Sequence, residues 1–202
     1  MYAIVEDNNI TQYINNPKSV IIGNVRYPAK IFELWTTAEK EAIGIYEIVV
    51  DKTNYKDPEY YNNTNSSYTF ADGQVTESWG TATAKELEDR NATDEDGVEL
   101  NPIVVIEGLK TEKKKIVKAQ ASTLLERTDW HNHKALDDDS YTIPDNIKTY
   151  RANVRAKSNE METQIDACTN VDELKTLYEY VNTGTEENPV YESPLAEFPK
   201  EI

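Results

Sequence analysis

Apolar residues keep two rhythms along this chain. Over residues 1–82 they come in short runs broken by turn-forming pairs, and beyond residue 110 they recur at helical spacing. The stretch "YAIVEDNNITQYI" (2–14) places Tyr2, Ile4, Ile10 and Ile14 on either side of Asp7-Asn8-Asn9, which predicts a β-hairpin. "SVIIGNVRYP" continues in the same style, with a turn at Gly23-Asn24. "IFELW" (31–35) reads as a short extended run. Thr36 or Thr37 can then cap a short helix, "TAEKEAIG", with Glu41 placed for a capping box and Gly44 as its stop. "IYEIVVDK" (45–52) is a strand, and residues 53–65 are a polar loop. In "SSYTFADGQVTESWGTA" (66–82), Asp72-Gly73 centres a second hairpin.

Residues 86–99 hold seven acids and one base around Gly97 and have no period, which predicts a linker or long surface loop; with a short strand at "PIVVIEGL" (102–109) it makes up an acidic linker region, 83–110. "TEKKKIVKAQASTLLER" (111–127) then reads as a helix. Val117, Ala121, Leu124 and Leu125 form its apolar face, while Lys113, Lys114, Lys115 and Lys118 stay solvated. "IPDNIKTYRANVRAKSNEMETQIDAC" (143–168) reads as a longer one. Ile147, Val154, Met161 and Cys168 lie seven apart along a seam that suits a hairpin partner or a second copy, and Lys157 interrupts it. Residues 170–182 predict a short third helix capped by Asn170. The tail, 183–202, reads as an extended, proline-containing segment whose Tyr191, Leu195 and Phe198 can dock on a surface. The expected fold class is α+β: a β-rich module (1–82) with one short helix, the linker (83–110), a helical hairpin with an extra helix (111–182), and the tail.

Composition narrows the function. The 202 residues carry 21 bases against 37 acids, a net charge of −16, which disfavours nucleic acid and anionic lipid as partners. Hydrophobic residues make up 38%, so the core is expected to be small or completed by partner chains, and 13 tyrosines suit contact surfaces. Cys168 is the sole cysteine, which excludes an intrachain disulfide and reads as a small core residue. The N-terminus does not read as a secretion signal, and no apolar run reaches membrane-spanning length.

Few residues suggest chemistry. His131 and His133, with Asp137, Asp138 and Asp139 nearby, are weak metal candidates, and the plainer reading is a solvated loop. "DEDG" resembles the acidic half of an EF-hand loop but lacks its spacing and its closing Glu. No activated serine and no phosphate-binding loop stands out. Hence no catalytic residue and no cofactor are assigned, and an enzyme is not expected. Trp35, Trp79 and Trp130 read as core anchors before sugar-stacking platforms.

One pattern carries a resemblance. Leu124-Leu125-x-x-Thr128-Asp129-Trp130, followed by Tyr150-Arg151-x-x-Val154-Arg155, resembles a motif of bacteriophage tail assembly chaperone and tail-fibre-associated proteins. "YAIVEDNNITQYI", "IFELWTTAEKEAIGIYEIV" and "FADGQVTESW" look like their opening modules, and "PLAEFPKEI" like their ending. The longer connection "HNHKALDDDSYT" and the extra helix depart from that pattern. The resemblance implies a non-enzymatic tail, baseplate or fibre-associated protein of the virion, made in the host cytoplasm, in several copies and in contact with other tail or fibre proteins. A cytoplasmic assembly chaperone absent from the particle is the alternative, and a carbohydrate-binding receptor module a further one. In the motif itself, Leu124, Leu125 and Trp130 are expected to fold back on Ile147, Tyr150 and Val154, with Asp129 reaching Arg151 or Arg155.

Overall fold

Asp7 and Asn8 both take positive φ, 51° and 61°, the backbone a two-residue hairpin turn demands and one that Asn and Asp tolerate. They turn β1 (Tyr2–Glu6) into β2 (Asn9–Ile14). Gly23 (φ 57°) does the same between β3 (Val20–Ile22) and β4 (Val25–Tyr27). These elements belong to the computed structural model of residues 1–202, which divides into two units, Met1–Thr83 and Ala84–Ile202. The fold class is α+β.

In the first unit two short helices follow, α1 (Ile31–Leu34) and α2 (Thr37–Glu41), and then the strand β5 (Ile45–Asp51). After the two-residue β6 (Tyr61–Asn62), Asp72 and Gly73, again at positive φ, join β7 (Ser66–Ala71) to β8 (Gln74–Trp79). The sheet runs β2-β1-β5-β8-β7, antiparallel except between β5 and β8. It curls into a half-barrel, and the outermost strands meet through Tyr13 and Tyr68, whose ring centroids are 4.7 Å apart. One face packs Ile4, Ile14 and Ile45 against Val20 and the Ile31 and Phe32 of α1. The other packs Ala3, Val5, Ile48 and Val75 under Tyr46, Tyr68 and Phe70.

Three local expectations change here. "IFELW" is helical, not extended: Pro28, Ala29 and Lys30 offer carbonyls to the N–H groups of Ile31, Phe32 and Glu33, and so short an apolar run has no period to tell helix from strand. The capping box uses Glu39, not Glu41. With Thr36 as N-cap the third helical residue is Glu39; its carboxylate accepts from the Thr36 N–H at 2.8 Å while the Thr36 hydroxyl accepts from the Glu39 N–H. The polar stretch 53–65 also buries two tyrosines, Tyr60 and Tyr61.

The second unit opens with β9 (Thr83–Ala84), which spans the boundary, and continues with β10 (Arg90–Asn91) and β11 (Val105–Ile106). The presumed acidic linker is thus a hairpin, and β11 is shorter than the expected strand. Asp94 closes its tip, accepting from the N–H groups of Asp96 and Val98. Its base is bonded to the start of α3 (Leu109–Glu126): the Leu109 and Lys110 N–H groups donate to the carbonyls of Glu86 and Leu87, and the Gly108 N–H donates to Asp89 Oδ1. Acidic content hid this, because the charges serve turns and a helix start while the pairing is backbone. Lys113, expected in solvent, is buried with its ammonium 4.5 Å from the Tyr178 ring.

Helix α4 (Asp129–Asp137) follows, then α5 (Asp145–Ala167) and α6 (Val171–Tyr178), capped by Asn170. The long helices α3 and α5 run antiparallel: Arg151 reaches the end of α3 and Lys110 the end of α5. On α5 Tyr150, Val154, Ser158, Met161 and Ile165 are buried, with Arg151 buried beside Tyr150, the three- and four-residue alternation of a helix packed on one neighbour. Ser158 takes the inward place, and Lys157 turns out to meet Glu160 at 2.7 Å. Val117 and Ala121 of α3 are buried with them, so the seam expected to suit a hairpin partner or a second copy packs against the chain's own helix. Past α6, β12 (Val181–Asn182) pairs with β13 (Tyr191–Glu192).

Candidate functional site

The residues of the Leu124-Leu125-x-x-Thr128-Asp129-Trp130 and Tyr150-Arg151-x-x-Val154-Arg155 pattern lie at the turn from α3 into α4 and along the first turns of α5. The last carbonyls of a helix lack intrahelical donors and carry its negative end. Here the Leu125 carbonyl accepts from the Thr128 N–H and hydroxyl, both at 3.0 Å, and from Arg151 Nη1 at 2.8 Å. Arg151 Nη1 also donates to the Thr128 hydroxyl at 2.7 Å, and Nη2 meets Asp129 Oδ1 at 2.7 Å. The guanidinium therefore sits between the negative end of α3 and an acid in the first turn of α4, and it is 8% exposed. A charge so buried persists only when paired and fully bonded.

Of the two arginines, Arg151 takes Asp129. Arg155 is exposed and donates weakly, at 3.4 Å, to the Arg151 carbonyl. Tyr150, Val154 and Ala121 are buried beside the joint, and half-buried Leu124, Leu125 and the tail's Phe198 pack on them.

Trp130 departs from expectation. It does not fold back on α5; it is 54% exposed and stacks on His131 at 3.7 Å between centroids. The connection is helical, with "DWHNHKALD" forming α4, and the turn of that helix sends Trp130 outward and His131 inward. His131 is buried, with Nδ1 against the Tyr141 hydroxyl, and Lys134 lies 4.3 Å from the Tyr141 ring centre. His133 is exposed. Two apart on a helix, the histidines point some 200° from one another, so they do not face one ion. No group of three or more His, Cys, Asp or Glu side chains gathers to hold a metal. Asp138 ends α4, its carboxyl held below the usual range by the hydroxyl and then the N–H of Ser140.

The tail lies on the helices of its own unit. Gln164 behaves like a fragment of strand: its Nε2 donates to the Pro194 carbonyl at 3.0 Å and its Oε1 accepts from the Ala196 N–H at 2.8 Å. The Leu195 N–H and Ser193 hydroxyl both donate to the Leu177 carbonyl, and Leu195 is buried. Tyr191, the remaining tail residue singled out, is exposed on β13. Cys168 is buried, and that burial pushes its thiol above the ordinary cysteine range.

Sequence reasoning named Thr128 within the motif but gave it no role, and it missed the His131–Tyr141 contact and Gln164, for which the sequence carries no signal. Trp35 lies in the first unit's core, edge-on to Tyr27 at 5.8 Å, and Trp79 stands edge-on to Tyr55 at 5.2 Å. No helix is long and apolar enough to cross a membrane. No protein-family model matches the chain, and no curated protein or solved structure is detectably similar to it.

Proposed function

We propose that this chain is a non-enzymatic attachment protein of a bacteriophage tail, baseplate or fibre, carried in the virion and made in the host cytoplasm. The observation that supports this reading most is the division of labour within the motif. Leu125, Thr128, Asp129, Tyr150, Arg151 and Val154 are used to lock helices together, while Trp130 points outward, with Leu136 of α4 also 81% exposed. A rigid joint that presents an aromatic ring serves docking, because the ring brings contact area at little entropic cost. The expected partners are other tail or fibre proteins, each attachment point repeated in several copies.

A transient assembly chaperone is the second reading. A bare seam and a mobile tail would favour it; here α3 covers the seam and Gln164 holds the tail, which weighs toward a permanent part. The edge-on packing of Trp35 and Trp79 weighs against a sugar platform. A peptide mass-spectrometry inventory of purified particles tests the choice. Stoichiometric peptides from this chain are expected; abundance in infected lysate with none in particles would make the chaperone the better reading.

A further inference from the structure

The hairpin at the base of α3 carries a feature a solitary chain gains nothing from. From Leu100 to Ile106 the sequence is "LNPIVVI", with no charge. Ile103 is 64% exposed and Val105 53%, and Val104 and Ile106 between them are also exposed, so both faces of the strand are bare. Its sheet has two strands, leaving β11 a neighbour on one side only. Arg90 pairs with Ile106 and Asn91 with Val105, and the Ala92 N–H donates to the Val104 carbonyl at 2.7 Å. Backbone groups alternate in direction along an antiparallel strand. The Val104 carbonyl and the Ile106 groups opposite Arg90 therefore turn toward β10, and Val105 between them presents its N–H and carbonyl on the outer edge. An edge of this kind is a template for one more strand.

We propose that β11 is a docking edge for an extended apolar segment of another protein, flanked by lysine or arginine. Charge selects that occupant. Residues 86–107 hold eight acids and one arginine. Several acids are engaged: Glu88 on Lys110, Asp89 on the Gly108 N–H, Glu99 on Asn91 and Glu107 on Lys115. Glu95 and Asp96 remain exposed at the tip. A second copy would bring the same acids and another net −16 to the edge, whereas a basic-flanked strand is attracted to it. The edge is also fixed beforehand: the bonds from Leu109, Lys110 and Gly108 to residues 86–89 pin the hairpin to the helix start, so a partner strand does not have to order it. Backbone bonds would then supply affinity, and the Ile103, Val104, Val105 and Ile106 side chains the apolar contacts. This deepens the reading of the chain as an attachment protein and rests on that part of it alone.

The test uses the full chain and two synthetic peptides of alternating valine and threonine, one closed by lysines and one by glutamates. Binding is read by calorimetry and by amide hydrogen exchange. The lysine peptide is expected to bind about tenfold or more tighter at low salt, a gap that narrows as salt screens the charges. It should slow exchange at the Val105 amide. Val105→Pro removes that outward N–H and should abolish binding with the helical signal unchanged; Val105→Lys leaves the backbone intact and should weaken the lysine peptide in particular. Failure of both peptides to bind, equal binding of the two, or protection elsewhere in the chain overturns the proposal. So does protection of Val105 that appears without peptide and rises with chain concentration, which would make the occupant a second copy. Absence of the chain from particles would remove the tail reading and leave these outcomes unchanged.

Discussion

Arg151 is a cation with almost no access to water, and its bonds to Leu125, Thr128 and Asp129 are what make that tolerable. Removing it takes one of three donors from the Leu125 carbonyl, the donor from the Thr128 hydroxyl oxygen and the counter-charge from Asp129. Arg151→Met is expected to cost about 2–3 kcal/mol, below the usual figure for a broken buried pair because Asp129 is half in water. Asp129→Asn should cost about 1 kcal/mol, since its amide oxygen can still accept. Urea unfolding followed by the helical signal measures both, and equal costs would mean that the Leu125 and Thr128 bonds contribute nothing. Trp130→Ala, at an exposed ring, should change stability by less than about 0.5 kcal/mol; a loss as large as that of Arg151→Met would show that the ring holds the joint together. Gly44 sets a second residue-scale prediction. Its φ is +82°, and a Cβ there would lie 2.6 Å from the Val5 carbonyl oxygen, which is backbone and cannot step aside. Gly73 also has positive φ but open space around it. Gly44→Ala is therefore expected to cost about 2 kcal/mol or more, and Gly73→Ala about 1 kcal/mol. Thermal melts of the two variants that came out in the reverse order would remove the steric argument.

At the scale of elements, helix starts in the second unit depend on ionised carboxyls. The Gly108 N–H and then the Thr111 hydroxyl hold Asp89 below the usual carboxylate range, and the Thr169 N–H and then its hydroxyl do the same for Glu173. Both groups have folded values below their unfolded ones. Their contribution is therefore complete above the unfolded value and is lost as pH falls through the folded one. Stability of the helical unit is expected to decline below about pH 4, and the double variant Asp89→Asn, Glu173→Gln should flatten that decline. Denaturation midpoints on a pH series read the slope, and an unchanged slope would place the acid sensitivity elsewhere. Elements of this kind also mark what the sequence made legible. Asp7-Asn8 and Asp72-Gly73 could be read as turns because their signal is local, and the same holds for Asn170 as a cap. Opposite charges are enough to suggest that Asp129 reaches Arg151 or Arg155, and only the packing selects Arg151. Helix α4 was not legible: "DWHNHKALD" has no apolar period, and its inward residues are a histidine and a half-buried alanine. Trp130 was misplaced with it, since a ring expected beside a loop turns out once that loop is a helix. The hairpin at 90–106 was hidden for the opposite reason, its charge run outweighing a pairing made by backbone alone.

For the whole molecule, the two units each have a core built from their own residues, and this argues that one can be unfolded by substitution without the other. Val154 offers the sharpest test. It is fully buried on the face of α5 that packs on α3, beside Ala121 and Tyr150, where an ionised carboxylate would lose its water and the neighbouring Arg151 is already occupied by Asp129. Burying that charge is expected to cost about 4 kcal/mol or more, enough to unfold a small helical unit near the usual margin of stability. In Val154→Asp the helical circular dichroism should collapse. The amide resonances of residues 1–83 should persist, because Ile4, Ile14, Ile45 and Phe32 on one face of the curled sheet, and Val5, Ile48 and Val75 on the other, do not depend on α5. Loss of the strand resonances in step with the helical signal would overturn the separation and make the chain a single cooperative fold. Their survival would also supply, in one variant, a protein with its sheet intact and its joint gone, in which the proposed attachment can be tested at the half-barrel without the joint.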